Sequence, residues 1–135
     1  MMSKITFFPE QYAWVAHPAE VNVSLDDVTE GEAVFVSGKL MDPEFVRGIT
    51  GHYIPFGAAV ARNYTRGERG RGAKKTLVLE HRPGGAVLGA ILLKLTDADI
   101  RALDAFEQVP KIRRKTEIRV SVGACERMAS TYVPR

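Results

Sequence analysis

The sequence predicts an α+β domain built on a mixed or barrel-like β-sheet with short helices. The first observation is a surplus of strand-like segments, at residues 33–36 (AVFV), 54–60, 76–80, 86–95 (AVLGAILLKL), 116–122 (TEIRVSV) and 129–133 (ASTYV). Second, these segments are joined by short turns or by a single strong helix, an order that suits a mixed or barrel-like sheet. Third, 135 residues at 45% hydrophobic and 26% charged make an ordinary globular composition. A chain of this length buries roughly two-thirds of its unfolded surface around one core. There is no internal repeat and no linker. We therefore expect residues 1–32 to form an N-terminal arm packed on a domain spanning residues 33–135.

Composition excludes several classes. The single cysteine, Cys125, has no internal disulfide partner and implies a reducing, cytoplasmic setting, where it serves as a small strand or turn residue. The N-terminus lacks a signal-peptide apolar run, and the longest apolar run, residues 86–93, is too short to span a bilayer, so no membrane partner is expected. A net charge of +3 is mild. The basic residues Arg62, Arg66, Arg69, Arg71, Lys74 and Lys75 are interleaved with Gly67, Gly70 and Gly72, and residues 62–75 read as a flexible solvated loop. That reading is favoured over a nucleic-acid or acidic-protein surface, because only Tyr64 offers a stacking face. His17, His52 and His81 lack metal-ligand spacing, so no metal site is assigned.

Taken in order, residues 1–30 form an irregular arm with one strand candidate at residues 21–25 (VNVSL). The 33–36 strand ends in a Ser37-Gly38 turn, after which Asp42 as N-cap and Pro43 at the first helical position open a short helix. A glycine turn at a strand end can direct backbone N–H groups toward a carboxylate or phosphate, although most such turns are only turns. Arg82-Pro83-Gly84-Gly85 reads as a turn before the buried strand at 86–95, in which Gly89 marks a bulge or a close backbone approach.

The main helix is expected at residues 97–107, opened by a Thr96/Asp99 capping box and stopped by Val109-Pro110. At about 100° per residue, Ile100, Leu103 and Phe106 make its apolar stripe, and Glu107 lies between the directions of Ile100 and Leu103. A carboxylate there is partly desolvated and near the negative end of the helix dipole, and both effects favour the protonated form. That suits a general acid/base. A frayed last turn, with Glu107 rotated into water, is the alternative that patterning leaves open. Asp104 is the competing acid and ranks below Glu107.

Three pieces stand in a particular order: FVSGKLMDP at 35–43, PGGAVLGAILLKLTDADIRALDAFE at 83–107, and RRKTEIRV followed by ASTYV. Together they resemble the gamma-glutamylcyclotransferase-like family, whose members carry a strand ending in a Tyr-Gly-Ser/Thr-Leu turn, a glycine-bearing apolar strand and a helix with Leu-Asp-x-x-Glu. The resemblance implies a barrel with a cavity at one mouth and an acyltransferase-type reaction on a small-molecule γ-glutamyl substrate that releases 5-oxoproline without cofactor or metal. It implies Glu107 as the catalytic acid/base. It also implies Ser37, Gly38, Lys39 and Leu40 as the substrate-holding turn, working through backbone amides, with Tyr132 matching an aromatic on the last strand. Tyr132 reads equally well as a core tyrosine with its hydroxyl at the rim.

The chain departs from the pattern at Ser37, where the family has tyrosine, at Lys39, where it has serine or threonine, at Gln108, where it has glycine, and at Ile112, where a second aromatic is usual. Two hypotheses follow: a cyclotransferase with Glu107 as acid/base, or an altered, non-enzymatic member that keeps the fold as a binding or interaction module. An open pocket joining Glu107 to the Gly38 turn separates them.

Overall fold

The structure is a computed structural model that describes residues 5–8, 13–16, 32–69, 76–123 and 125–134. Strands β1 (Ile5–Phe8) and β2 (Ala13–Ala16) pair antiparallel as a two-stranded sheet of their own. This hairpin was not expected in the arm; β-branched and aromatic residues on both sides of residues 9–12 are the local preference that permits it. The strand expected at residues 21–25, and His17, lie outside the described residues.

The domain is a closed barrel of β3 (Val34–Val36), β4 (Phe56–Arg69), β5 (Thr76–Leu92), β6 (Arg113–Val122) and β7 (Cys125–Pro134), in the order β3-β5-β4-β6-β7. All pairings are antiparallel except β3 with β7, where Val34 lies opposite Ser130 and Phe35 opposite Thr131. That parallel pair closes the sheet, and the Thr131 hydroxyl donates to the Phe35 carbonyl oxygen at 2.9 Å across the seam. Between β3 and β4 come a 3₁₀ turn at Lys39–Met41 and helix α1 (Pro43–Thr50); between β5 and β6 comes helix α2 (Asp97–Phe106). Asp42 caps α1 as expected, accepting from the Glu44 N–H at 3.0 Å, with Pro43 at the first position.

The unpatterned run at 86–93 is explained by burial on both faces from Gly89 onward, while Ala86 and Leu88 are exposed. Val34, Val36, Ala90, Leu92 and Leu103 belong to the cluster under the helices, while Phe35, Ile91, Leu93, Ile118 and Val120 belong to a second cluster. Gly89 makes the close approach foreseen for it: a Cβ there would collide with the Val36 carbonyl oxygen and the Phe35 ring.

Two loop expectations are corrected. Residues 62–69 are not a flexible loop but the second half of β4, paired from Tyr64↔His81 to Arg69↔Thr76; residues 70–75 lie outside the described residues. Residues 82–85, expected as a turn between two strands, fall within the span of the single strand β5 but bulge out opposite Asn63 without a ladder partner among the described residues, with Gly84 at φ +82°. Gly67 is absorbed because its cross-strand pairing with Val78 satisfies the backbone regardless of local preference. The irregularity appears instead as a register shift between Arg62 and Tyr64, where Asn63 takes φ +67° and its side-chain oxygen accepts from the Gly84 N–H at 3.1 Å. Beyond this bulge the two strands form ladder pairs only with each other, as an arm that comes against the Ser37 turn.

Candidate active site

Helix α2 sets the position of Glu107. Its capping box is complete: the Thr96 hydroxyl accepts from the Asp99 N–H at 3.1 Å, and the Asp99 carboxylate accepts from the Thr96 N–H at 3.0 Å. The far end is closed too. The N–H groups of Glu107, Gln108 and Val109 donate to the carbonyls of Leu103, Ala105 and Asp104 at 3.0, 3.2 and 3.1 Å. Those bonds exclude a frayed last turn. Gln108, at φ +58°, occupies the left-handed position that follows a helix, which is the conformational reason glycine is usual there.

The apolar stripe is only partly as expected. Leu103 is fully buried, Ile100 is half-buried, and Phe106 is exposed, its ring edge-on to Phe45 of α1 with centroids 5.2 Å apart. The buried acid of the helix is Asp99, 3% exposed, which shares the face of Leu103 at i+4 spacing and meets His52 Nε2 at 2.6 Å. Its capping role was legible in the sequence. Its burial and its histidine partner were not, because His52 comes from 47 residues away.

Glu107 lines a partly open cavity of about 270 Å³ together with Ser37, Gly38, Lys39, Leu40 and Tyr132. The structure thus brings every sequence-nominated site residue to one concavity. Lys39 is exposed at the edge, and Phe106, Gln108, Ile112 and Arg113 complete that side, with Val78 and Leu79 from the β4/β5 arm opposite. Burial pushes the Glu107 carboxyl above the usual range, partly opposed by the Arg113 guanidinium, whose Nε lies 3.7 Å from Oε2.

Tyr132 is buried and its hydroxyl donates to Asp104 Oδ1 at 2.7 Å. Asp104 in turn accepts from Lys115 Nζ at 3.0 and 3.1 Å. Burial, the hydrogen bond to Asp104 and the nearby Asp104 and Glu107 charges all hold the phenol far above its ordinary pKa, so Tyr132 stays protonated. Asp104 is therefore committed to Tyr132 and Lys115, which leaves Glu107 as the less engaged acid at the cavity.

At the turn, the Met41 and Asp42 N–H groups donate to the Gly38 and Lys39 carbonyls at 3.0 and 3.1 Å, so the N–H groups of Lys39 and Leu40 have no acceptor within the 3₁₀ turn. Arg66, read from sequence as part of a solvated loop, holds this turn: its Nε donates to the Ser37 carbonyl oxygen at 3.0 Å. Burial lowers its pKa, and a guanidinium remains charged at neutral pH regardless. Only strand register brings Arg66 there.

A second concavity of about 330 Å³, lined by Tyr64, Glu80, His81 and Arg114 among others, contains none of the nominated residues. Among the described residues no group of three or more His, Cys, Asp or Glu side chains is arranged to hold a metal, and no helix is long and apolar enough to cross a membrane.

Residues 34–135 match the family model described as Gamma-glutamyl cyclotransferase, AIG2-like, so the chain belongs to that family. Solved structures with the same fold include a gamma-glutamyl cyclotransferase, at TM-score 0.68 and 16% identity over 78% of this chain and 68% of that one. They also include an Arabidopsis thaliana protein solved in solution (TM-score 0.66, 20% identity, 76% of this chain and 68% of that one). An AIG2-like protein from Mus musculus superposes at TM-score 0.58 with 18% identity, covering 76% of each chain. At these identities the likeness establishes the fold. No curated protein matches the sequence.

Proposed function

We propose that the protein is a cofactor-independent γ-glutamyl cyclotransferase, with Glu107 as general acid/base and residues 37–40 as the turn that holds the substrate carboxylate. The observation that carries this reading is the shared cavity: a desolvated glutamate faces the same small concavity as a turn whose Lys39 and Leu40 amides are uncommitted within it.

The arrangement suits an intramolecular acyl transfer. The substrate's own α-amine attacks its γ-carbonyl carbon; a new C–N bond closes the five-membered lactam, and the bond to the departing amine breaks. Glu107 accepts the proton from the attacking amine and delivers one to the leaving nitrogen, so no net proton is gained or lost. Because nucleophile and electrophile share one molecule, proximity is supplied once the substrate is folded into the cavity. A carboxyl with a raised pKa exchanges a proton with an amine more readily than an ordinary one. Tyr132, whose one hydroxyl proton is donated to Asp104, lines the cavity as a fixed aromatic wall. A cavity of about 270 Å³ suits a small molecule. The single cysteine keeps a reducing, cytoplasmic setting as the proposed location.

The test is 5-oxoproline release by the purified protein from γ-glutamyl amino acids, peptides and amines, with Glu107→Gln alongside. Release that Glu107→Gln abolishes supports the reading. No release from any member of the panel by correctly folded protein sinks it and leaves the binding-module alternative.

A further inference from the structure

Arg66 stands on β4 opposite Leu79, on the arm beyond the bulge, and its half-buried guanidinium reaches Ser37, Met41 and Leu88 among its partners. Nε donates to the Ser37 carbonyl oxygen at 3.0 Å, while Nη2 donates to the Leu88 carbonyl oxygen of β5 and approaches Met41 Sδ at 3.8 Å. Ser37 and Gly38 line the cavity, whereas Arg66 is not among its lining residues.

A trans peptide points its C=O and the following N–H in opposite directions. With the Ser37 carbonyl drawn toward Arg66, the Gly38 N–H is turned the other way. The choice is consequential, because one orientation offers a carboxylate a donor and the reverse offers it a repelling carbonyl oxygen. Glycine at 38 does not make that choice, since it tolerates either peptide orientation and no atom lies within 4 Å of where its Cβ would be.

We infer that Arg66 is a positioning residue that locks the Ser37–Gly38 peptide with its N–H toward the cavity and thereby sets the site's affinity for a carboxylate-bearing ligand. Arg66 acts through Ser37 and does not touch that ligand. The arm carrying Arg66 is accordingly part of the site. The inference rests on the proposed function for what fills the cavity, but not for the orientation of the peptide.

The experiment compares the whole protein with Arg66→Lys and Arg66→Gln. Folding is checked by thermal unfolding, and 5-oxoproline is titrated in as a carboxylate probe while the Gly38, Lys39 and Leu40 amide resonances are followed by NMR. KM and kcat are measured on whichever γ-glutamyl compound the wild type consumes. Arg66→Gln is expected to weaken probe binding about 10-fold or more and to raise KM comparably, with kcat changed less than about 3-fold. Arg66→Lys, which keeps the charge but cannot bridge both carbonyls, is expected to fall between.

Unchanged probe affinity and amide shifts in folded Arg66→Gln overturn the inference. So does global unfolding of both variants, since Arg66 would then hold the fold rather than the turn. Wild-type protein that binds the probe through these amides, loses that binding in Arg66→Gln and yet releases no 5-oxoproline supports the inference while ending the cyclotransferase reading.

Discussion

Helix α2 carries an acid at each end, and the barrel treats them oppositely. At the N-terminus Asp99 is 3% exposed, yet its carboxyl is held below the ordinary range. Burial alone would raise it, but hydrogen bonds from the Thr96 N–H, His52 and the Thr96 hydroxyl, joined by the His52 charge, outweigh burial. At the C-terminus Glu107 retains more exposure, with 22% of its side chain accessible, but its carboxyl is raised because it has only the Arg113 guanidinium at 3.7 Å against its desolvation. The number and closeness of partners separates the two, together with the heavier desolvation of Glu107. An acid whose hydrogen bonds are already made serves the fold, whereas one left short of partners at a cavity is available for proton transfer.

The sharpest break of this contrast is Glu107→Gln. It is expected to lower 5-oxoproline release at least about 100-fold, as removal of a general acid/base does. It should also raise rather than lower Tm at neutral pH, because a carboxyl with a raised folded pKa loses stability as pH climbs through that value. A fall in Tm would show that Glu107 is structural like Asp99.

Asp99→Asn should do the reverse, costing about 2 kcal/mol in urea unfolding through the weakened cap and the lost charge pairing with His52, with kcat little altered. The sign with pH is fixed by the depressed folded pKa. Asp99 contributes fully above its unfolded value of about 3.9 and loses its contribution as pH falls through the lower folded one. The variant should therefore show a flatter acid limb than the wild type in unfolding measured down to about pH 2. An identical acid limb would show that the His52 pair is too weak to matter.

Arg113→Gln sharpens the comparison by taking away the cation that pairs with Glu107. The Glu107 carboxyl should rise further, and the acidic limb of the kcat/KM profile should move to higher pH. A limb that does not move would assign it to another group. The smallest effect is expected from Gln108→Gly, which relieves a left-handed residue at φ +58° and should stabilise the protein by about 1 kcal/mol in urea without changing the pH profile.

Much of the site was legible because it is local. The Thr96/Asp99 box, the Asp42-Pro43 helix start and the 3.6-residue spacing that aims Glu107 inward all act over one or two turns, so chain chemistry suffices to place them. The close approach at Gly89 was legible from the residue type alone, although its partners Val36 and Phe35, distant in sequence, were not. Residues 62–69 were misread because Gly67 and the run of arginines look like solvent-loving loop, whereas pairing with residues 76–81 makes them strand. Phe106 was assigned to the core by periodicity, but the barrel ends beneath Leu103 and leaves the ring at the cavity mouth against Phe45.

By itself, then, the chain determined its helix limits, the α+β class and the pairing of one acid with one glycine turn, because caps, apolar periods and turn residues act between near neighbours. Tertiary structure decided which acid is saturated and which is left wanting. The partners that settle it, His52 for Asp99, Lys115 and Tyr132 for Asp104, and Arg66 for the Ser37 carbonyl, arrive from 47, 11, 28 and 29 residues away. Electrostatics and hydrogen bonding depend on distance in space, and only closing the barrel converts those separations in sequence into contacts of about 3 Å.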